Sequence, residues 1–213
     1  MRVGLYLDAP QGDDPIGALR EQLAAAAADG FSSAWLSNIF HLDALTALAA
    51  AGGSVPGIEY GTAVVPTYPR HPAALAQQAM TANAALGGRL TLGIGLSHQV
   101  VIEHMFGYSF DRPARHMKEY LDILLPLVRG EQVKYRGETL SANIGLTTPG
   151  AGLPVLVAAL APRMLKLAGA VADGTVLWMT GPKTVAEHVA PAIRAAAQEA
   201  GRTPPRVVCG LPV

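Results

Sequence analysis

A chain of 213 residues falls between the sizes expected for one and two domains, and because α/β barrels alone often exceed ~200 residues, a single domain over 1–213 is expected. Half of the residues are hydrophobic and 15% are charged, which supplies one sizeable core and excludes a mainly disordered chain. Sixteen Lys and Arg balance sixteen Asp and Glu, and this lack of net charge argues against a nucleic-acid binder or a polybasic membrane anchor.

Met1 to Asp8 lacks the apolar stretch of a signal peptide, and nowhere do ~18 apolar residues run unbroken, so a soluble cytoplasmic protein is expected. Val3 to Leu7 reads as a strand leaving into a polar, Pro- and Gly-rich loop. Ile16 to Ala28 has helical periodicity and is stopped by Asp29-Gly30. Phe31 to Ser37 reads as a strand, Leu42 to Ala51 as a helix, Ile58 to Val65 as a strand, Pro72 to Leu86 as a helix and Arg89 to Ile94 as a strand. Gln99 to Phe106 and Arg112 to Val128 are expected to be helical, the second opening with Asp111 as its cap and Pro113 as an early proline. Val133 to Leu140, around Gly137, breaks the rhythm as a small hairpin. Leu153 to Ala158 (strand), Arg163 to Ala172 (helix), Thr175 to Met179 (strand), Val185 to Ala200 (helix) and Arg206 to Leu211 (strand) complete the chain. Cys209, the single cysteine, has no internal disulfide partner and reads as a small buried hydrophobe.

Seven apolar strands alternating with helices predict a parallel sheet covered by helices, either doubly wound or closed as a barrel. In both architectures ligands bind at the carboxyl ends of the strands. That selects Asp8, Asn38, His41, Pro66 to His71, Leu96 to Gln99, Ala159 to Pro162 and Thr180 to Lys183. There is no Gly-x-Ser-x-Gly elbow and no Walker loop, and Gly93-Ile94-Gly95 lacks the third glycine of a dinucleotide fingerprint because His98 stands there. His98 and His104 are not spaced to share a helical face, so no metal site is expected. His71 and His188 read as capping or solvated histidines, and Arg112, Arg115, His116 and Glu119 as a solvated or salt-bridged stripe. His98 is different, since it follows a Gly-rich strand end, where an imidazole can exchange a proton near neutral pH. Ala158 to Arg163 runs from strand straight into helix, which either exposes backbone N–H groups to an anion or simply packs tightly.

The run Gly61-Thr62-Ala63-Val64-Val65-Pro66-Thr67-Tyr68-Pro69-Arg70-His71-Pro72 is followed by Ala76-Gln77-Gln78-Ala79, by Gly88 to Gly95, by Ala172-Asp173-Gly174-Thr175 and by Gly210-Leu211-Pro212-Val213. Together these resemble the bacterial luciferase-like family, and within it the members that use the deazaflavin coenzyme F420. The resemblance implies a (β/α)8 TIM barrel with an insertion near 130–150, a homodimer, and a cofactor ring in the barrel mouth. It implies a non-proline cis peptide behind that ring, matching Ala63–Val64 here, a bond that local propensity gives no reason to expect. Leu96, Ser97 and His98 match a cofactor-contacting loop that carries a catalytic Glu in sugar-phosphate-oxidising relatives, with His98 in its place. Ala158, Ala159, Leu160 and Ala161 match the segment that holds the cofactor's phosphate tail. The Gln-Ala-Gly-x-Ser version of FMN-using relatives is absent, which favours F420 over FMN. Thr180, Gly181 and Lys183 resemble an anion-meeting loop with one inserted residue. Asn38-Ile39 stands where dehydrogenase relatives have Asp-His, so alcohol or sugar-phosphate oxidation is not expected.

The expected function is therefore an F420-dependent oxidoreductase, a reductase that passes hydride to a small organic substrate, with cofactor contacts from Asn38, Ala63, Val64 and Leu96 to His98, and His98 as proton donor. The alternatives are an FMN-dependent monooxygenase and a non-catalytic F420-binding or carrier protein. Against the ~250 residues of a complete barrel, the eighth βα unit is missing. The expectation is that the sequence is a piece of a longer protein or that a partner covers the gap between the first and seventh strands.

Overall fold

In a computed structural model of the protein, residues 2–212 are described; Met1 and Val213, which begin and end the sequence motifs above, lie outside them. The chain runs β1 (Gly4–Leu7), α1 (Pro15–Ala28), β2 (Ser33–Leu36), α2 (Ala44–Gly52), β3 (Glu59–Thr62), β4 (Val65–Pro66), α3 (Pro72–Ala85) and β5 (Leu90–Gly95). A single π turn (Val101–Met105) leads to α4 (Pro113–Val128), β6 (Val133–Arg136), β7 (Ser141–Ile144), β8 (Val155–Val157), α5 (Pro162–Val171) and β9 (Gly174–Trp178). A short α6 (Pro182–Thr184) runs through a second π turn (Val185–Val189) into α7 (Ala190–Glu199) and then β10 (Arg206–Gly210).

Local chemistry sets several of these boundaries. Pro15 starts α1 behind Asp14, whose Oδ1 accepts from Gly17 N at 2.8 Å, and Gly30 ends it at φ +83°. Asp43 caps α2 in the same way, accepting from Thr46 N at 3.0 Å. The expected Asp111 cap of α4 is not formed. Arg112 holds the cap position at φ +49° without a side-chain hydrogen bond, and Pro113 alone marks the start. The expected strand over Ile58–Val65 is two strands, interrupted at a cis peptide bond between Ala63 and Val64. The hairpin is longer than expected, because β6 pairs antiparallel with β7 and the residues around Gly137 form the turn.

The main sheet is parallel throughout, in the order β1-β2-β3-β5-β8-β9-β10, with β4 also on β5. It curls into a barrel that stays open between β1 and β10. Two contacts nevertheless cross the interior. The Tyr6 and Trp178 rings, from β1 and β9, lie 4.6 Å apart, and Arg206 on β10 pairs with Glu59 on β3. Alternation along the strands separates two cores. Leu36, Tyr60, Leu92 and Val157 face the helices in the large core, whereas Trp35, Leu156 and Val176 pack inside the barrel with Tyr6, Ala63, Val64, Ala158 and Val208. No helix among the described residues is long and apolar enough to cross a membrane.

Candidate active site

Inward-facing residues of β1, β2, β9 and β10 line a cavity of about 890 Å³ that runs up the barrel to the carboxyl ends of the strands. Ala63, Val64 and Ala158 form one wall, and Tyr6, Trp178 and Thr180 stand at the upper end. The wall is shaped by what the strands leave out. A Cβ on Gly95 would lie 2.6 Å from Val64 Cγ2 and 3.3 Å from Ala158 Cβ, so glycine there is what admits Val64. The Tyr6 hydroxyl donates to the carbonyl of Ala63 at 3.2 Å, fixing one side of the cis peptide. Burial, reinforced by Asp8, raises that phenol above the ordinary tyrosine range, so it remains a donor at neutral pH. The result is a mainly apolar slot, walled by small side chains on one side and by two aromatic rings on the other, which suits a flat ring system.

A second feature lies at the end of β8. Ala159 N donates to Thr175 Oγ1 at 3.3 Å, and α5 begins at Pro162. Between and after them, the N–H groups of Leu160, Ala161 and Arg163 have no intramolecular partner among the described residues. Leu160 and Ala161 are exposed, and the helix that follows is ten residues long. Three open donors at a helix N-terminus attract an anion through both hydrogen bonding and the helix dipole. The donor set thus fits a phosphate, as the small side chains fit a ring.

The remaining expected site residues are distributed less tightly. Leu96 is half-buried against the helical core, and Ser97 takes a left-handed conformation at φ +63°. His98 is exposed at the rim outside the cavity lining, and its carbonyl accepts from Val101 and Ile102 N to start the π turn. Asn38 spends its Oδ1 on Ala44 N at 2.9 Å, tying the loop after β2 to the start of α2. Thr180 is buried with its Oγ1 3.4 Å from the Trp178 carbonyl, whereas Gly181 and Lys183 are exposed beyond the cavity. Cys209 is half-buried, packing against the large core as well as bordering the cavity, with Sγ 3.2 Å from the Thr180 carbonyl.

Two histidine readings are corrected. His116 is not part of a solvated stripe. Its ring stacks on Tyr68 at 3.9 Å, its Nε2 lies 3.0 Å from Thr67 Oγ1, and burial holds it down to about 4, so it is neutral at pH 7. Arg112 and Arg115 turn away to Glu138, and Glu119 is buried beneath the hairpin turn. His188 is not simply solvated, because its Nε2 lies 2.9 Å from the Leu160 carbonyl. His71 does cap α3, its Nδ1 3.3 Å from Ala73 N. Sequence reasoning missed Tyr6 and Trp178, although strand alternation and their place near the carboxyl ends of the first and sixth expected strands were the available signal.

Comparison with known proteins agrees on the family and on the fold. The model of the luciferase-like monooxygenase family matches residues 1–213. A 5,10-methylenetetrahydromethanopterin reductase of Methanolobus tindarius is 30% identical over 196 residues, covering 91% of this chain and 60% of that protein. The chain thus spans about three fifths of that relative's length. Among solved structures, an F420-dependent secondary alcohol dehydrogenase in complex with an F420-acetone adduct superimposes with a TM-score of 0.86 at 21% identity, covering 98% of this chain and 68% of the other. The oxygenating constituent of 3,6-diketocamphane monooxygenase of Pseudomonas putida, in complex with FMN, does so at 0.81 and 20%, covering 98% and 66%. At these identities the two structures establish the TIM-barrel fold alone.

Proposed function

The chain belongs to the luciferase-like monooxygenase family, and from that premise we propose that it is an F420-dependent oxidoreductase that works as a reductase on a small organic substrate with an activated double bond or carbonyl. One observation carries the reading: the small-residue wall of Ala63, Val64 and Ala158 continues at the end of β8 into the open N–H groups of Leu160, Ala161 and Arg163. A flat ring on the wall and a phosphate at the head of α5 satisfy both. The M. tindarius reductase, similar over most of the chain, supports this assignment.

When bound, the deazaflavin supplies hydride; the protein binds, orients and excludes water. Ala63 and Val64 would back the ring, Tyr6 and Trp178 would close its open side, and Leu96 and Ser97 would hold its edge. Thr180, Gly181 and Lys183 bound the substrate side, where Lys183 is the available cation. Asn38 holds the loop after β2 against α2, next to the cofactor. Its amide oxygen is committed to Ala44 N, and Asn38-Ile39 stands in place of the Asp-His pair that would accept a substrate hydroxyl proton, which favours reduction over alcohol oxidation. His98, on the rim, delivers the proton that completes reduction. We place the protein in the cytoplasm as a homodimer.

Anaerobic mixing with chemically reduced F420 and a panel of cyclic enones and aldehydes tests the reading. Oxidation of the cofactor with matching loss of the enone or aldehyde is expected. Oxygen uptake with reduced FMN, and none of this exchange, would replace it with a flavin monooxygenase. Binding without turnover over the whole panel would replace it with a carrier.

A further inference from the structure

His188 sits in the π turn that precedes α7, and its Nε2 lies 2.9 Å from the carbonyl oxygen of Leu160 in the turn that precedes α5. The two segments meet because their helices pack closely. A Cβ on Gly169 of α5 would lie 2.8 Å from Ala196 Cβ and would run into the Ile193 carbonyl of α7. A carbonyl oxygen only accepts, so Nε2 carries the proton and donates, which fixes the tautomer.

The peptide plane turns this contact into a statement about the anion-facing group. In a trans peptide the C=O of one residue and the N–H of the next point in opposite directions. With the Leu160 carbonyl held toward His188, the Ala161 N–H points away from α7, and it has no partner among the described residues. Ala159, one peptide earlier, is anchored independently through its N–H, which donates to Thr175 Oγ1 at 3.3 Å, while the Thr175 hydroxyl donates to the Val157 carbonyl at 2.8 Å. The turn is therefore fastened at Ala159 from β9 and at Leu160 from the π turn. Only the second fastening sets the orientation of the 160–161 peptide. A π turn at this place is itself a costly irregularity of the kind found at functional sites.

We propose that His188 is a positioning residue, which holds the Leu160–Ala161 peptide so that the Ala161 N–H faces a bound phosphate. The inference rests on the reading that the head of α5 holds the cofactor's phosphate tail. Without the His188 donor, the peptide is free to rotate and to present its carbonyl to the anion.

The test compares affinities for F420 and for the deazaflavin riboside that lacks the phosphate and everything beyond it, in wild type, His188→Phe and His188→Gln. Wild type is expected to bind F420 more tightly than the riboside. His188→Phe should lose about tenfold in F420 affinity, or about 1.4 kcal/mol, with riboside affinity unchanged, and His188→Gln, which keeps an N–H donor, should recover much of the loss. If wild type favours F420 and His188→Phe does so equally, the inference is overturned while the phosphate reading stands. If His188→Phe weakens both ligands alike, or His188→Gln recovers nothing, the role is structural and the inference is again overturned. Equal wild-type binding of F420 and the riboside would remove the phosphate reading, and the inference with it.

Discussion

The guanidinium of Arg206, on the last strand, pairs with the carboxylate of Glu59, on the third, inside the amino-terminal end of the barrel, and lies 5.3 Å over the Trp35 ring. Glu59 also accepts from Thr91 at 2.6 Å and from Arg2 at 3.1 Å. A sheet open between its first and last strands is thereby drawn together by one carboxylate contacted from three directions. Burial alone would raise that carboxyl, but the hydrogen bonds from Arg206 and Thr91 and the charges of Arg206 and Arg2 prevail and hold it below the usual range.

Replacing Glu59 by Leu should therefore cost about 1–3 kcal/mol, less than a fully buried pair because the side chains are 19% and 27% exposed, while leaving Arg206 unpaired above Trp35. A pairing carboxylate whose value is lowered stabilises above its unfolded range and ceases to do so as pH falls through the folded value. Urea midpoints should thus differ between wild type and Glu59→Leu at pH 7 and converge below pH ~4.

His116 predicts a second, separate acid window. Its imidazole falls from 6.5 to about 4 through burial, partly opposed by Glu119. The unfolded chain then binds the extra proton first, so stability is full above about 6.5 and declines as pH drops toward 4. Partial exposure reduces the size of the effect to about 1–2 kcal/mol. His116→Phe, which preserves the stack on Tyr68, should flatten the urea midpoint between pH 7 and 5 relative to wild type. An unchanged slope would show that the histidine titrates normally.

Glu119 should be the residue on which the hairpin depends. Its carboxylate accepts from Glu138 N at 2.9 Å, Leu140 N at 3.0 Å and both the N–H and hydroxyl of Thr139, at 3.0 and 2.8 Å. Glu119→Ala leaves these donors without their partner and should cost about 2–4 kcal/mol, with amide exchange accelerating first over residues 133–144. A Cβ on Gly137 would meet the same carboxyl group at 2.5 Å, so Gly137→Ala should loosen the hairpin by the same route.

These cases show what was legible in the sequence. Strongly apolar segments such as Leu90–Gly95 and Val155–Val157, and a stop such as Gly30 after α1, announce themselves because their period and chemistry are local, whereas the Asp14 cap of α1 lies inside a stretch that reads as a polar loop and the cap expected at Asp111 is not formed. The family motif located Ala63, Val64 and Ala158 on the cavity wall. What stayed hidden depends on distant partners. The bond from Ala44 N to the Asn38 amide oxygen is invisible in the sequence, and His116 and Glu119 read as a stripe until Tyr68 and the hairpin cover them. His188 sits in a segment whose apolar spacing continues into α7, and nothing in that spacing reveals a π turn that brings it to Leu160.

His98→Ala should reduce turnover with reduced F420 by roughly 100-fold, within the span of general acid catalysis, and leave F420 affinity unchanged. The separation is expected because His98 stands on the rim, outside the cavity lining. An unaltered rate would move the proton donor elsewhere, with the Tyr6 hydroxyl next in line.

The proposed ligand is a deazaflavin with its ring on Ala63 and Val64 and its phosphate at the head of α5. Parallel spectroscopic titrations of the protein with F420 and with FMN test it most directly. F420 should bind saturably and at least tenfold more tightly than FMN; tight FMN binding with no response to F420 would contradict it.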